Sequence, residues 1–313
     1  MEHRPDASTE ETLRYLKALS DETRLRIAGV LCSYELSVNE LVTLLGMGQS
    51  RVSRHLKILY EAGLIRSRRD GLWVFYSASE NDGPRHFLDG VISFMRWRGD
   101  FLPEDMLGAR DLLDERNRKT RQFFNAIADE WDALNREVLG DFSIPDAACE
   151  ALPSPCPSAA DLGCGTGEVL DSVRAFCGSV IGVDGSPRML ELAKRRFAES
   201  PVSLRLGDLE HLPMKDEEVD FASVNLVLHH LSEPGEAFPE LSRVLRRGGR
   251  ALIIDFDRHD LEDMRKTYGD RWLGFSAEYL RSQCAAAGLR ERAYERRPVR
   301  RGLALHMLTL EKM

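Results

Sequence analysis

Apolar side chains recur at helical spacing over residues 13–31: Leu13, Leu16 and Leu19, then Leu25, Ile27, Ala28 and Leu31. Ser20-Asp21 interrupts them where a side-chain oxygen can cap a second helix. Ser37-Val38-Asn39-Glu40 fits a capping box, opening a short helix through Leu41, Leu44 and Leu45 that Gly46 ends. The spacing predicts a further helix over 49–62, with Gly63 placed for a left-handed cap. Two strand-like runs then flank Asp70-Gly71, a strong two-residue hairpin signal. After Pro153, Pro155 and Pro157 the rhythm changes to short apolar strands alternating with helices, the pattern of a parallel α/β sheet. Strands are expected around 180–184, 202–208, 219–224 and 250–254, and a helix after Gly167 with Val169, Leu170, Val173 and Phe176 inward.

Two short helices joined by a glycine-containing turn predict a helix-turn-helix. On its second helix Val52, Leu56 and Leu59 share one face, Ser50, Ser53, Arg54 and Lys57 point the other way, and Arg51 and His55 flank them. An apolar back and a polar front suit a recognition helix in a major groove, where arginine can bond guanine O6 and N7 together. A β-wing at the hairpin would carry Arg66, Arg68 and Arg69 near phosphates. The 313 residues carry 43 basic and 51 acidic side chains, a net charge of −8, which excludes broad polyanion binding. Residues 1–80 sum to about zero, yet six Lys/Arg fall between Gly48 and Asp70 against only Glu61 and Asp70. That focus favours double-stranded DNA as a partner over a face of merely solvated arginines.

The stretches ALSDETRLRIAGVL and ELSVNELVTLLGMGQSRVSRHLKILYEAGLIRSRRDGLWVFY resemble the ArsR/SmtB-type winged-helix regulators. The resemblance implies a homodimer on a pseudo-palindromic operator, with the first helix and a helix at about 84–97 forming the interface. Metal sensors of that family carry a cysteine pair in the helix that here reads Glu35-Leu36-Ser37-Val38-Asn39-Glu40, which has none. Cys32 stands alone as a core candidate, and His86 with Asp89 is a weak ligand signal. The six cysteines (32, 149, 156, 164, 177 and 284) form no C-x-x-C. Neither a disulfide framework nor a metal site is therefore expected.

In the second half, Asp161-Leu162-Gly163-Cys164-Gly165-Thr166-Gly167 puts glycines at a strand-to-helix turn, where they permit a tight bend and close approach of a ligand to backbone. Val180-Ile181-Gly182-Val183-Asp184 follows as a strand ending in a carboxylate 17 residues after Gly167, suited to accepting both hydroxyl protons of a ribose. Asp208 and Asn225 stand at the ends of two more strands, and open α/β sheets bind ligands at such ends. The turn reads G-x-G-x-G, which disfavours a dinucleotide and a redox regulator built on one. The set DLGCGTG, GVDGSPRMLELAKRR, GDLEHLP and VDFASVNLVLHHLSEPGEAFPELSRVLRRGG resembles class I S-adenosylmethionine-dependent methyltransferases, nearest to the quinone-biosynthesis-like small-molecule group.

That resemblance implies a Rossmann-like fold binding S-adenosylmethionine or S-adenosylhomocysteine. Asp161 and the turn Gly163, Gly165 and Gly167 would hold the amino-acid part, Asp184 the ribose, Asp208 and the Leu209 backbone the adenine, with Asn225 near the sulfur. Gly185 replaces the side chain that usually packs on adenine, implying a looser clamp. FFNAIADEWD (123–132) is amphipathic and resembles a lid over the cofactor. His229 and His230 are candidates for a general base, and His259 and Trp272 for the pocket lining. Residues 303–310 resemble the reversed last strand of such sheets.

The fold class expected is α/β overall: a mostly helical winged helix-turn-helix at 1–98, a charged helical linker at 99–122 reading as solvated, and a methyltransferase-like domain at 123–313. The combination resembles bacterial regulators that respond to S-adenosylhomocysteine and control methionine-cycle genes. It predicts a transcriptional regulator, a repressor by that resemblance, with an adenosyl effector; the alternative is an active methyltransferase carrying a regulatory winged helix. No apolar run reaches the ~18–20 residues of a bilayer span, and no apolar leader follows the first methionine, so the cytoplasm is expected.

Overall fold

The computed structural model describes residues 9–70, 72–98, 103–199 and 202–313. The chain forms two compact units that divide between Glu115 and Arg116. In the first, α1 (Thr9–Leu19) and α2 (Glu22–Leu31) precede β1 (Leu36–Ser37), α3 (Val38–Leu45), α4 (Gln49–Glu61), the hairpin β2 (Ile65–Asp70) and β3 (Trp73–Ala78), and α5 (Asp82–Arg98). Asp21 caps α2 by accepting from the Arg24 N–H, and Ser37 with Glu40 closes the expected capping box on α3. Gly46 and Gly63 take left-handed conformations, with φ of 61° and 82°, and end α3 and α4 as their positions predict. Val52, Leu56 and Leu59 of α4 pack with Ile27, Leu31, Leu41 and Leu88 in one apolar core. Three antiparallel strands in the order β1-β3-β2 form the wing; Asp70 pairs with Trp73, as a two-residue turn requires, and the expected Gly71 lies outside the described residues.

Two expectations change here. In α1 the core takes Tyr15, Ala18 and Leu19, while Leu13 and Leu16 face outward. The charged stretch is not simply solvated: α6 (Pro103–Ile127) runs through it as one helix, burying Asp105 and Ala109 in the first unit, where Asp105 accepts two 2.7 Å hydrogen bonds from Arg26.

In the second unit the end of α6 is followed by α7 (Trp131–Leu139) and α8 (Ile144–Ala151), then β4 (Cys156–Leu162), α9 (Glu168–Val173), β5 (Cys177–Asp184), α10 (Pro187–Arg196), β6 (Ser203–Leu206) and β7 (Val219–Asn225). A 3-10 turn (Leu228–His230), α11 (Ala237–Val244), β8 (Leu245–Phe256), α12 (Asp263–Thr267), α13 (Ala277–Ala286), β9 (Leu289–Pro298) and β10 (Ala304–Lys312) complete it. The seven strands run β6-β5-β4-β7-β8-β10-β9, parallel except for β10, which is antiparallel to both neighbours. Separate apolar clusters cover the two faces of this Rossmann-like sheet. Beside β4 the connections leave in opposite directions, to β5 on one side and β7 on the other, so a crevice opens at its carboxyl end.

Phe176 departs from expectation. The helix after the glycine turn stops at Val173, and Phe176 is 66% exposed instead of packed inward. Gly248-Gly249 lies in an excursion within β8 rather than before the strand. Strand β9, LRERAYERRP, carries no alternating apolar pattern and is largely exposed, which is why periodicity misses it. No helix among the described residues is long and apolar enough to cross a membrane.

Candidate functional site

The first site is the outer face of α4. Ser50, Arg51, Ser53, Arg54 and Lys57 are exposed there, because Val52, Leu56 and Leu59 hold the opposite face in the core. His55 sits differently: it is partly buried, with Nδ1 3.6 Å from the Asp21 carboxylate that caps α2. On the wing, Arg68 reaches Glu35 with two 3.2 Å hydrogen bonds and lies 5.1 Å from the Phe75 ring, while Arg66 pairs with Glu80 at 2.5 Å. Arg69 is adjacent on β2. The fold thus brings most of the predicted cations to an exposed helix face and hairpin, and turns His55 inward.

The second site is a cavity of about 570 Å³ in the crevice beside β4. Asp161, Gly163, Gly165, Asp184, Asp208, Leu209 and Asn225 all line it. Gly167 supports it from behind: φ is +87°, and a Cβ there would come within 2.7 Å of Phe197. Gly163, at φ +81°, packs against Val227, whereas Gly165 faces Trp131 with room for a ligand to approach. The glycines therefore differ in duty: Gly163 and Gly165 line the cavity, Gly163 also packing against Val227, while Gly167 serves packing behind it.

Two buried carboxylates define the chemistry. Asp161, at the end of β4, accepts from Ser223 Oγ at 2.6 Å and Asn225 Nδ2 at 3.1 Å. Asp184, at the end of β5, accepts from the Gly165 N–H and the Ser186 N–H, each at 2.8 Å. Burial pushes each carboxyl up to about 6. Each Asp184 oxygen keeps a second lone pair, so the carboxylate can still accept from two hydroxyls. Asn225 Oδ1 is buried with no hydrogen-bond partner among the described residues, an acceptor in search of a donor.

Asp208 is 47% exposed and engaged with Arg121 of α6, whose Nη2 lies 3.1 Å from both of its oxygens. A Cβ at position 185 would stand 3.2 Å from Asp208 Oδ1, so Gly185 leaves this carboxylate room to approach. The 123–132 stretch walls the cavity through Phe124, Trp131 and Asp132, and Asp132 accepts from Thr166 Oγ1 at 2.6 Å. Sequence reasoning missed Arg121; its basic neighbours on α6 hide it within a run that reads only as charged. Of the histidines, His230 lines the cavity, its ring edge-on to Phe124 at 4.7 Å, and His229 lies behind it. Trp272 and His259 do not line it: Trp272 is core and donates to the Leu231 carbonyl at 2.7 Å, and His259 accepts from the Leu261 N–H.

Comparison with known proteins agrees with this division. Residues 21–67 match the model of the bacterial regulatory protein, arsR family, and residues 160–253 match a methyltransferase domain. An uncharacterized 37.1 kDa protein in transposon TN4556 of Streptomyces fradiae is 37% identical over 159 residues, 46% of each chain. The demethylmenaquinone methyltransferase of Symbiobacterium thermophilum is 31% identical over 152 residues, 45% of this chain and 61% of that one. The chain thus spans only 46% and 61% of the lengths of these two relatives. Among solved structures, the [4+2]-cyclase SpnF superposes with a TM-score of 0.53 at 18% identity, over 63% of this chain and 96% of that one. A possible histamine N-methyltransferase of Thermotoga maritima gives 0.50 at 24% identity, over 62% and 100%. These superpositions establish the fold of the second unit. The chain joins an arsR-type helix-turn-helix to a methyltransferase domain.

Proposed function

We propose that this protein is a DNA-binding transcriptional regulator, acting as a repressor, whose methyltransferase-type domain binds S-adenosylhomocysteine or S-adenosylmethionine as its effector. The observation that carries the reading is the coexistence in one chain of an exposed basic face on a helix-turn-helix and a preformed adenosyl-sized cradle. The cradle's chemistry suits the ligand. Asp184, braced by two backbone N–H groups, is matched to vicinal ribose hydroxyls. The unpartnered Asn225 Oδ1 and the buried Asp161 are matched to a ligand ammonium group. Asp208 and Leu209, both on the cavity wall, are matched to an adenine edge, and a ligand bound there would compete with Arg121 for Asp208. Arg121 belongs to α6, whose earlier turns are part of the first unit, so a ligand acting on Arg121 acts on an element the two units share.

A homodimer on a pseudo-palindromic operator accompanies this reading. Leu13 and Leu16 on α1 and Phe94 and Trp97 on α5 are exposed, and the Tyr15–Phe87 ring contact at 5.2 Å ties the two helices together. Domain limits of 1–98, 99–122 and 123–313 are proposed on functional grounds, with the middle segment as the relay.

Moving such a regulator from 99:1 bound to 1:99 needs about 5.5 kcal/mol of differential affinity. A methyl-sized contact contributes only ~1–3 kcal/mol. The sulfonium charge and the aromatic wall at Phe124 and Trp131 must supply the remainder, and the neutral, demethylated ligand is the proposed effector. Purified full-length protein titrated onto DNA fragments from upstream of its own gene, with both adenosyl ligands in parallel, tests this. Ligand-dependent release without turnover is expected, and Asp184→Ala should keep DNA binding but lose the response. The second reading, a working small-molecule methyltransferase, draws support from His230 in the cavity wall and from the methyltransferase relatives. Methyl transfer with DNA affinity unmoved by either ligand would favour it.

A further inference from the structure

At and behind the cavity wall, four buried ionisable side chains meet: His229 and His230 in the 3-10 turn, Asp255 near the end of β8, and Asp270 after α12. His229 Nδ1 lies 2.7 Å from Asp255 Oδ1, an acceptor, so this nitrogen carries a proton and donates it. Asp255 Oδ1 also accepts from the Phe256 N–H, which fixes the carboxylate. His230 Nδ1 lies 3.2 Å from the Gly269 carbonyl, again an acceptor, so His230 is protonated on the same nitrogen. Each ring therefore presents its Nε2 as the remaining ligand atom. His229 Nε2 faces Asp270 Oδ1 at 3.6 Å, while His230 Nε2 and both Asp270 oxygens have no hydrogen-bond partner among the described residues.

One donor atom from each of His229, His230 and Asp270 can be chosen so that all three lie within 4.8 Å of one another. Electron-pair donors gathered in the interior without a matching donor of protons are costly. One added proton on His229 could serve a single Asp270 oxygen and would leave His230 bare. A divalent cation satisfies all three together.

We propose that His229, His230 and Asp270 form a binding site for a divalent transition-metal ion, with Asp255 as the outer partner that orients His229. Two imidazoles and one carboxylate suit zinc, cobalt, nickel or ferrous iron, and not magnesium or calcium, which prefer all-oxygen sets. Bond lengths of about 2.0–2.2 Å require the donor atoms to draw together from separations of up to 4.8 Å. A carboxylate fixing the far nitrogen of a ligand histidine is the arrangement that sets ring orientation and basicity in metal sites. His230 also lines the cavity, so the ion would lie one side chain away from bound ligand. The site differs from the cysteine-pair sites considered for the first unit, and the sequence alone predicted none.

The test uses full-length protein stripped with a chelator and titrated with Co²⁺, whose visible absorption reports coordination, followed by displacement with Zn²⁺. Saturation at one Co²⁺ per chain is expected. Asp255→Asn should weaken binding about 10–100-fold, as loss of an outer partner does. Asp270→Asn should weaken it further, with a circular-dichroism melt to verify folding. Asp270→Cys supplies a thiolate in the same place and should add an intense sulfur-to-cobalt charge-transfer band, a readout that a purely structural aspartate would not give. Wild-type protein that binds no Co²⁺ would overturn the proposal. So would Co²⁺ binding unchanged in Asp270→Asn, or an Asp270→Cys spectrum without the new band.

Discussion

Gly163 has φ +81°, and a Cβ built on it would come within 2.3 Å of a Val227 methyl group. Both the left-handed backbone and the crowding oppose a side chain, so Gly163→Ala should cost about 2–4 kcal/mol in the second unit. Urea unfolding followed by tryptophan fluorescence would report it, together with lost ligand affinity. Asp161 and Asp184, each raised to about 6 by burial against an ordinary 3.8, give a pH dependence of definite sign. Ionised in the folded state, such acids oppose folding above about pH 6. That penalty fades as the pH falls through 6 and is gone near 3.8, so their share of stability rises on acidification. Ligand affinity should move the opposite way, because the ionised forms do the accepting: flat above pH 7 and weaker below about 6, by calorimetry at fixed ionic strength. These acids are legible in the sequence because a polar residue ending an apolar strand has few other places to be. Asp270 is not, since nothing in its surroundings, KTYGDRW, shows that the fold will seal it beside His229.

At the level of elements, α4 was legible because its two faces differ so sharply. Its exposed side makes a clean prediction: Arg54→Ala should weaken operator binding by about 1–3 kcal/mol, roughly tenfold or more, in a filter-binding or anisotropy titration. Stability should stay within about 0.5 kcal/mol of the parent, because Arg54 lies on the exposed face. Ser37→Ala should do the reverse, removing the cap of α3 for about 1 kcal/mol without touching the basic face. Helix spacing located α9 but misjudged its length. Phe176 keeps the apolar period of the pattern, yet the helix ends at Val173 with Arg174 as its C-cap. The charged sequence of α6 likewise concealed its buried stripe, because Asp105 is stabilised inside by Arg26, 79 residues earlier. Pairings that distant leave no local trace.

For the whole molecule, the two-part organisation was plain from the switch between helical and strand-helix rhythms, and the matched segments at 21–67 and 160–253 fall on either side of the division at Glu115/Arg116. Association of two copies is a property no single-chain pattern specifies, though 51%-exposed Leu16 and 79%-exposed Trp97 signal unfinished burial. On the proposed homodimer, Leu16→Glu should shift the protein toward monomer in analytical ultracentrifugation and lower affinity for the proposed operator at least tenfold, since one half-site contact would then stand alone.

Strand β9, finally, forms one border of the seven-stranded sheet and bristles with Arg290, Glu291, Arg292, Glu295, Arg296 and Arg297. A naked strand border invites the sheet of another molecule to continue it, and dense charge of mixed sign discourages that docking. The charge on this border accordingly keeps one sheet from growing into the next, and the exposed apolar side chains of α1 and α5 are left as a stickier part of the described surface.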